Sequence, residues 1–255
     1  MDDIPKRGRF KCTVIGTDTD ISDRLTPHAL FGYKQEAATI HAEENGMTAY
    51  AEAANGVWLL RRSRAVWTVR PSYRDEITVE TWSRGVSLMT FLRDYRFYVN
   101  GSSIPAGAGS SEWIIADKDT HKPLRPYAVI PQDIVARLSD TDVAIDRKAV
   151  RLADPAVPAE KVMQRDIGYS ELDHNDHVNN TFYLRYGVDA AARYEALRGA
   201  SCGLDFRFLD VVYLRELSLG DVLDVLVAKE DRHYYVEGKK QDGERCFRMI
   251  LEPSA

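Results

Sequence analysis

Residues 173–180 read Asp-His-Asn-Asp-His-Val-Asn-Asn and stand directly ahead of a helical stretch. A carboxylate there can take a proton from water, an imidazole can hold that carboxylate or a substrate in place, and a side-chain amide can donate to an oxyanion. A helix start adds unpaired backbone N–H groups and a partial positive charge, which suits the oxyanion of an acyl-transfer transition state. The same residue types also serve as plain helix caps, and for any one of them alone capping is the commoner role. His174 and His177, with Asp173 and Asp176 beside them, invite a metal reading. However, the segment precedes the helix and has no third His nearby, so no metal is expected.

Other reactive signatures are lacking. There is no G-x-S-x-G nucleophile elbow. Gly107-Ala108-Gly109 has Glu112 where a dinucleotide loop needs its third glycine, and reads as strand. Cys12, Cys202 and Cys246 are an odd number without metal-ligand spacing, and Cys202 and Cys246 read as buried packing residues. Tyr183 and Tyr186 read as packing residues on the helix.

The elements that position residues 173–180 occur twice. In the first copy, strand Phe10–Gly16 precedes a helix over Leu25–Glu44 and strand-like runs at 56–69, 76–83, 89–99 and 108–117. In the second, strand Val162–Gly168 precedes a helix over Val178–Leu197 and runs at 204–214, 222–229, 234–239 and 246–252. An Ile-Gly pair ends each first strand, and small residues (Ala37-Ala38; Ala190 to Ala192) recur on each helix. Asn100-Gly101 and Asp242-Gly243 are hairpin turn pairs. One long helix must cover its apolar stripe, and an antiparallel sheet offers one face to it. Aligned on the Ile-Gly pairs, the first copy places Ile21, Asp23 and Leu25 where the second has Asp173, Asn175 and His177. A helix begins there without His or Asn, which favours chemistry over capping in the second copy. Pro131 opens a short helical piece, and 138–160 is rich in Asp, Ala and Pro, the composition of a linker.

A formal net charge of −5 gives no whole-molecule attraction for nucleic acid or anionic membrane. No run approaches the roughly 20 apolar residues of a membrane span. With no signal or transit pattern at the first residues, the expectation is a cytoplasmic protein. The basic clusters Arg61-Arg62-Ser63-Arg64, Lys118–Arg125 and Lys239-Lys240 read as solvated edges or turns, any one of which could instead meet an acidic partner.

With these pieces in order, the chain resembles the acyl-acyl carrier protein thioesterases of plants and bacteria. The resemblance rests on D-x-N-x-H-V-N-N-x-x-Y at Asp173, Asn175, His177, Val178, Asn179, Asn180 and Tyr183. Val212-Tyr213-Leu214-Arg215-Glu216, His41 to Gly46, Glu80-Thr81-Trp82 and Ser111-Glu112-Trp113 support it, so that it spans about residues 8 to 252. It implies an α+β protein of two tandem hotdog domains, each an antiparallel sheet wrapped around a long central helix. The expected division is 1–135 for an N-terminal, acyl-binding domain, 136–159 for a linker and 160–255 for a catalytic domain.

Carried over by position, the catalytic residues are Asp173, Asn175, His177 and Glu216, with no cofactor and no metal. Where many plant members have a Cys after the catalytic Glu, this chain has Leu217, and an alkyl side chain cannot attack a carbonyl. The implied reaction is general-base hydrolysis of a fatty acyl thioester. Glu216, with Asp173, would activate water, while Asn175, His177 and the helix-start N–H groups would orient the thioester and its oxyanion. The implied partner is acyl carrier protein bearing a fatty acyl chain on its 4′-phosphopantetheine. Nucleic acid and membrane are not expected, and the protein would be a monomer or homodimer. An acyl-CoA thioesterase on the same scaffold, or a catalytically silent acyl-binding hotdog protein, are the alternatives.

Overall fold

In a computed structural model, which describes residues 5–145, 152, 154–200 and 203–254, the chain divides into two compact units, 1–147 and 148–255. Unit 1 contains β1 (Arg7–Thr13), α1 (Pro27–Glu44), α2 (Met47–Ala53), β2 (Gly56–Trp67), β3 (Glu76–Ser87), β4 (Thr90–Val99), β5 (Gly107–Asp117), α3 (Pro126–Val129) and α4 (Gln132–Leu138). Its strands lie in the antiparallel order β1-β3-β4-β5-β2. Unit 2 contains β6 (Glu160–Asp166), α5 (Asn180–Ala196), β7 (Phe206–Tyr213), β8 (Val222–Glu230), β9 (His233–Lys240) and β10 (Arg245–Pro253), in the antiparallel order β6-β8-β9-β10-β7. In each unit the long helix lies on its sheet: α1 packs on β1 and β3, and α5 on β6, β8, β9 and β10. Ala37, Ala38, Ala190 and Ala191 are buried on the sheet-facing sides of these helices, where small side chains permit close approach. No helix among the described residues is long and apolar enough to cross a membrane.

The expected elements form, with two corrections. The Ile-Gly pairs do not end strands. β1 stops at Thr13 and β6 at Asp166, and each pair leads into a single 3-10 turn, Gly16–Asp18 or Tyr169–Glu171. The helices also begin later than their apolar patterns, at the caps that satisfy their first N–H groups. Thr26 accepts from Ala29 N, with Pro27 in the first helical position, and Asn179 accepts from Thr181 N at 3.0 Å. The short α2, not expected from the sequence, follows Gly46 at φ 79°, a conformation glycine adopts without strain. Its Met47 and Ala51 pack with Phe91, Ile115 and the α4 residues Val135 and Leu138. Asn100 and Gly101 both adopt positive φ and Ser102 N closes a turn on the Val99 carbonyl at 3.0 Å, but the β4–β5 connection they open runs over 100–106 and is no two-residue hairpin.

The interior of unit 1 is unusually polar. Lys34, 2 % exposed, donates from α1 to Ser63 Oγ at 2.8 Å and to the Arg64 carbonyl at 2.7 Å. Arg62 and Arg64 are themselves buried, so the cluster Arg61–Arg64 is not a solvated edge beyond Arg61. Lys239 and Lys240 pair with Glu237 and Asp221, whereas Lys118, Lys122 and Arg125 are exposed.

His41, in the last turn of α1, is buried. Its Nδ1 accepts from Arg93 at 2.9 Å and its Nε2 donates to the Pro5 carbonyl at 3.2 Å, the pattern of a neutral ring. Burial, then the Arg93 charge, lower its pKa to about 4 from 6.5. The unfolded chain therefore binds this proton first as pH falls. Stability is expected to be full above pH 6.5 and to decline as pH drops through about 4, by on the order of 3 kcal/mol. Urea midpoints measured across that range should show the slope in the wild type and lose most of it in His41→Gln. An undiminished slope would assign it to other groups.

The stretch expected to be a linker packs on the units it leaves and enters. Arg7 binds Asp140 and Asp142, Arg96 binds Asp142 at 2.6 Å, and Trp82 donates to the Asp142 carbonyl at 2.9 Å. Hydrogen bonds from Arg96 and Arg7 hold the Asp142 carboxyl down to about 2. In unit 2, Arg248 donates to the Leu152 carbonyl and pairs with Asp154.

Candidate active site

The run 173–180 forms a tight turn between the 3-10 turn and α5. Asp173 N donates to the His177 carbonyl at 2.9 Å, and Asp176 N to the Asp173 carbonyl at 3.1 Å. Asp173 Oδ1 accepts from Asn175 N at 2.8 Å. Asp176 takes φ 60°, a region Asp tolerates better than most residues. The turn is then stapled to the segment after β7, because Val178 N donates to the Leu217 carbonyl at 2.8 Å. That staple brings two predicted residues together: His177 Nε2 lies 3.3 Å from Glu216 Oε2, with side chains 26 % and 38 % exposed. Both groups are thus anchored from behind yet open to an incoming water and substrate. Asn175 is exposed, and Asp173 is tied to it through the backbone.

Behind the turn, Glu171 is buried and accepts from Gly168 N at 2.8 Å, from Tyr186 Oη at 2.9 Å and from Arg165. Burial opposes its ionisation, but these donors outweigh that and hold its pKa below the usual value. The Glu171 carbonyl accepts from Asn179 N at 2.9 Å, which fixes the start of α5 against the 3-10 turn. Tyr186 therefore has a polar duty that its reading as a packing residue missed.

Four of the N–H groups around the helix start, where the sequence suggested an oxyanion, are already committed within the protein. Val178, Asn179, Thr181 and Phe182 each give their N–H to a protein oxygen, the last two to Asn179. Cys246 is buried, and burial raises its thiol to about 11, which makes it a poor nucleophile. Cys202 lies outside the described residues. Among the described residues no group of three or more His, Cys, Asp or Glu side chains is placed to hold a metal ion.

The first copy repeats this turn hydrogen bond for hydrogen bond, one residue out of step with the Ile-Gly alignment. Asp20 N donates to the Arg24 carbonyl at 2.9 Å, Asp20 Oδ1 accepts from Ser22 N at 2.8 Å, and Leu25 N donates to the Pro71 carbonyl at 2.8 Å. Asp18 accepts from Tyr33 as Glu171 does from Tyr186. The counterparts of Asp173, Asn175 and His177 are therefore Asp20, Ser22 and Arg24, and that of Glu216 is Arg70. This changes the weight of each residue. The acid of the turn occurs in both copies and builds the turn in both. What differs is the charge facing it: Arg70 forms an ion pair with Asp20 in the first copy, and Glu216 beside His177 takes that place in the second.

The acyl-ACP thioesterase N-terminal domain profile matches residues 8–138, and the C-terminal domain profile matches residues 157–247. The chain belongs to the acyl-ACP thioesterase family. It is 26% identical over 177 residues to a chloroplastic palmitoyl-acyl carrier protein thioesterase of Gossypium hirsutum, covering 64% of this chain and 41% of that protein. A second, of Arabidopsis thaliana, is 24% identical over 190 residues, covering 69% and 44%. The chain thus spans under half the length of these curated relatives. Among solved structures, an acyl-ACP thioesterase from Bacteroides thetaiotaomicron superposes with a TM-score of 0.84 at 22% identity, covering 98% of each chain. The 12:0-ACP thioesterase from Umbellularia californica gives the same score and coverage at 17% identity. These likenesses establish the double hotdog fold for this member of the family.

Proposed function

We propose that this family member hydrolyses fatty acyl-ACP thioesters to free fatty acid and holo-acyl carrier protein, with Glu216 as the general base. The observation that carries the reading is the Glu216–His177 contact at 3.3 Å, half-open to solvent and placed where the first copy has a neutral ion pair. Glu216 takes a proton from water as the water oxygen bonds to the thioester carbon. His177 orients the carboxylate, and the Asn175 amide donates to the oxyanion that forms. Collapse breaks the C–S bond, and the thiolate leaves with little assistance, since thiol pKa values are about 8–9. The proton on Glu216 then passes to the thiolate and restores the base. Asp173 shapes the turn that presents Asn175 and His177. Leu217, buried beside the base, supplies no nucleophile, so no acyl-enzyme forms there.

The test is thiol release from a ladder of acyl-ACP and acyl-CoA substrates by the purified chain. Turnover of acyl-ACP with kcat/KM at least about 10-fold above the matching acyl-CoA is expected, each decade reporting about 1.4 kcal/mol of transition-state preference. No release from any substrate would remove the enzyme reading, and preference for CoA would remove the carrier assignment.

A further inference from the structure

Leu217 joins the two halves of the site through its backbone. Its carbonyl accepts from Val178 N at 2.8 Å, and its own N–H donates to Tyr183 Oη at 3.2 Å. Tyr183 projects from the first turn of α5 and is buried, with its ring edge-on to both Tyr213 and Phe247 at 5.4 Å. The first copy shows what this phenol is for. There the residue equivalent to Leu217 is Pro71, which has no N–H, and the residue equivalent to Tyr183 is Leu30, which has no acceptor. The staple through the carbonyl is kept, with Leu25 N donating to the Pro71 carbonyl at 2.8 Å. Of these two equivalent positions, the phenol stands at the one where a buried N–H must be satisfied next to the base.

We propose that the Tyr183 hydroxyl is a positioning group for the reaction: by accepting the Leu217 N–H it fixes the backbone beside Glu216 and so sets the carboxylate against His177. This rests on Glu216 acting as the base. Tyr183 touches no reacting atom; it acts through Leu217.

The test compares wild type, Tyr183→Phe, Tyr183→Phe with Leu217→Pro, and Tyr234→Phe, on one acyl-ACP substrate. Tyr234 is a second buried phenol, whose hydroxyl donates to Glu195 at 2.7 Å far along α5. Tyr183→Phe should lower kcat at least about 10-fold with KM within about two-fold, because a displaced catalytic group reduces rate more than binding. Adding Leu217→Pro removes the orphaned donor, as the first copy does, and should recover most of that loss. Tyr234→Phe should lower Tm without lowering kcat. A kcat for Tyr183→Phe within two-fold of wild type overturns the proposal, as does a loss that Leu217→Pro fails to relieve. Should Tyr183→Phe not fold, the double variant must be folded and active for the proposal to stand. A wild type that turns over no substrate overturns the underlying hydrolase reading instead, a result distinct from all of these.

Discussion

Glu216→Gln is expected to lower kcat on acyl-ACP by about 10³-fold, within the range that positioned proton transfer contributes. The amide keeps the size and planarity of the carboxylate but takes no proton from water. KM should change little, since the carboxylate acts on the attacking water rather than on the bound substrate. Thermal stability should also hold, because Glu216 is half-open and its replacement leaves no buried charge unpaired. His177→Ala should fall in the same range, with the carboxylate present but no longer held. Steady-state kinetics beside melting curves separate loss of chemistry from loss of fold. Normal turnover by Glu216→Gln would move the base role elsewhere, with Asp173 the neighbouring carboxylate to examine.

The largest expected effect on stability comes from Gly238→Val. Gly238 on β9 pairs with Phe247 on β10, and a Cβ placed on it would lie 2.1 Å from the Phe247 ring. That ring is fully buried and stands edge-on to Tyr183, so it has nowhere to turn without disturbing α5. Overpacking of this kind costs about 3 kcal/mol, or a Tm lower by roughly 10 °C. Because the displaced ring leans on Tyr183, the kcat of the folded fraction should fall as well. A Tm within about 2 °C of wild type would mean that β10 yields more readily than its packing implies.

The mechanism and these effects trace to features of unequal visibility in the sequence. The Asp-Asn-His spacing and the strand–helix–strands order recurring at 10–117 and 162–252 were legible, since turn pairs and apolar period act locally. The register between copies was not. Ile15-Gly16 and Ile167-Gly168 look alike, but the hydrogen bonds match Val14 with Ile167 and Asp20 with Asp173. Two matching residue types carry no geometric constraint by themselves, whereas a closed set of hydrogen bonds does. The burial of Lys34, Arg62 and Arg64 was equally invisible, because long cationic side chains fold inward only where partners from distant strands wait for them.

By itself the sequence determined the doubled strand–helix–sheet architecture, which follows from periodicity and turn chemistry, while the hotdog class and the place of Glu216 in the site came from the resemblance to the family. Only the tertiary structure decided which residues of the site meet. It joined His177 to Glu216, gave Asp173 to the turn, committed four N–H groups around the helix start and set Tyr183 against Leu217. Each of those outcomes depends on hydrogen bonds between segments that are remote in sequence or closed within a turn, and no local pattern records where a donor finds its acceptor.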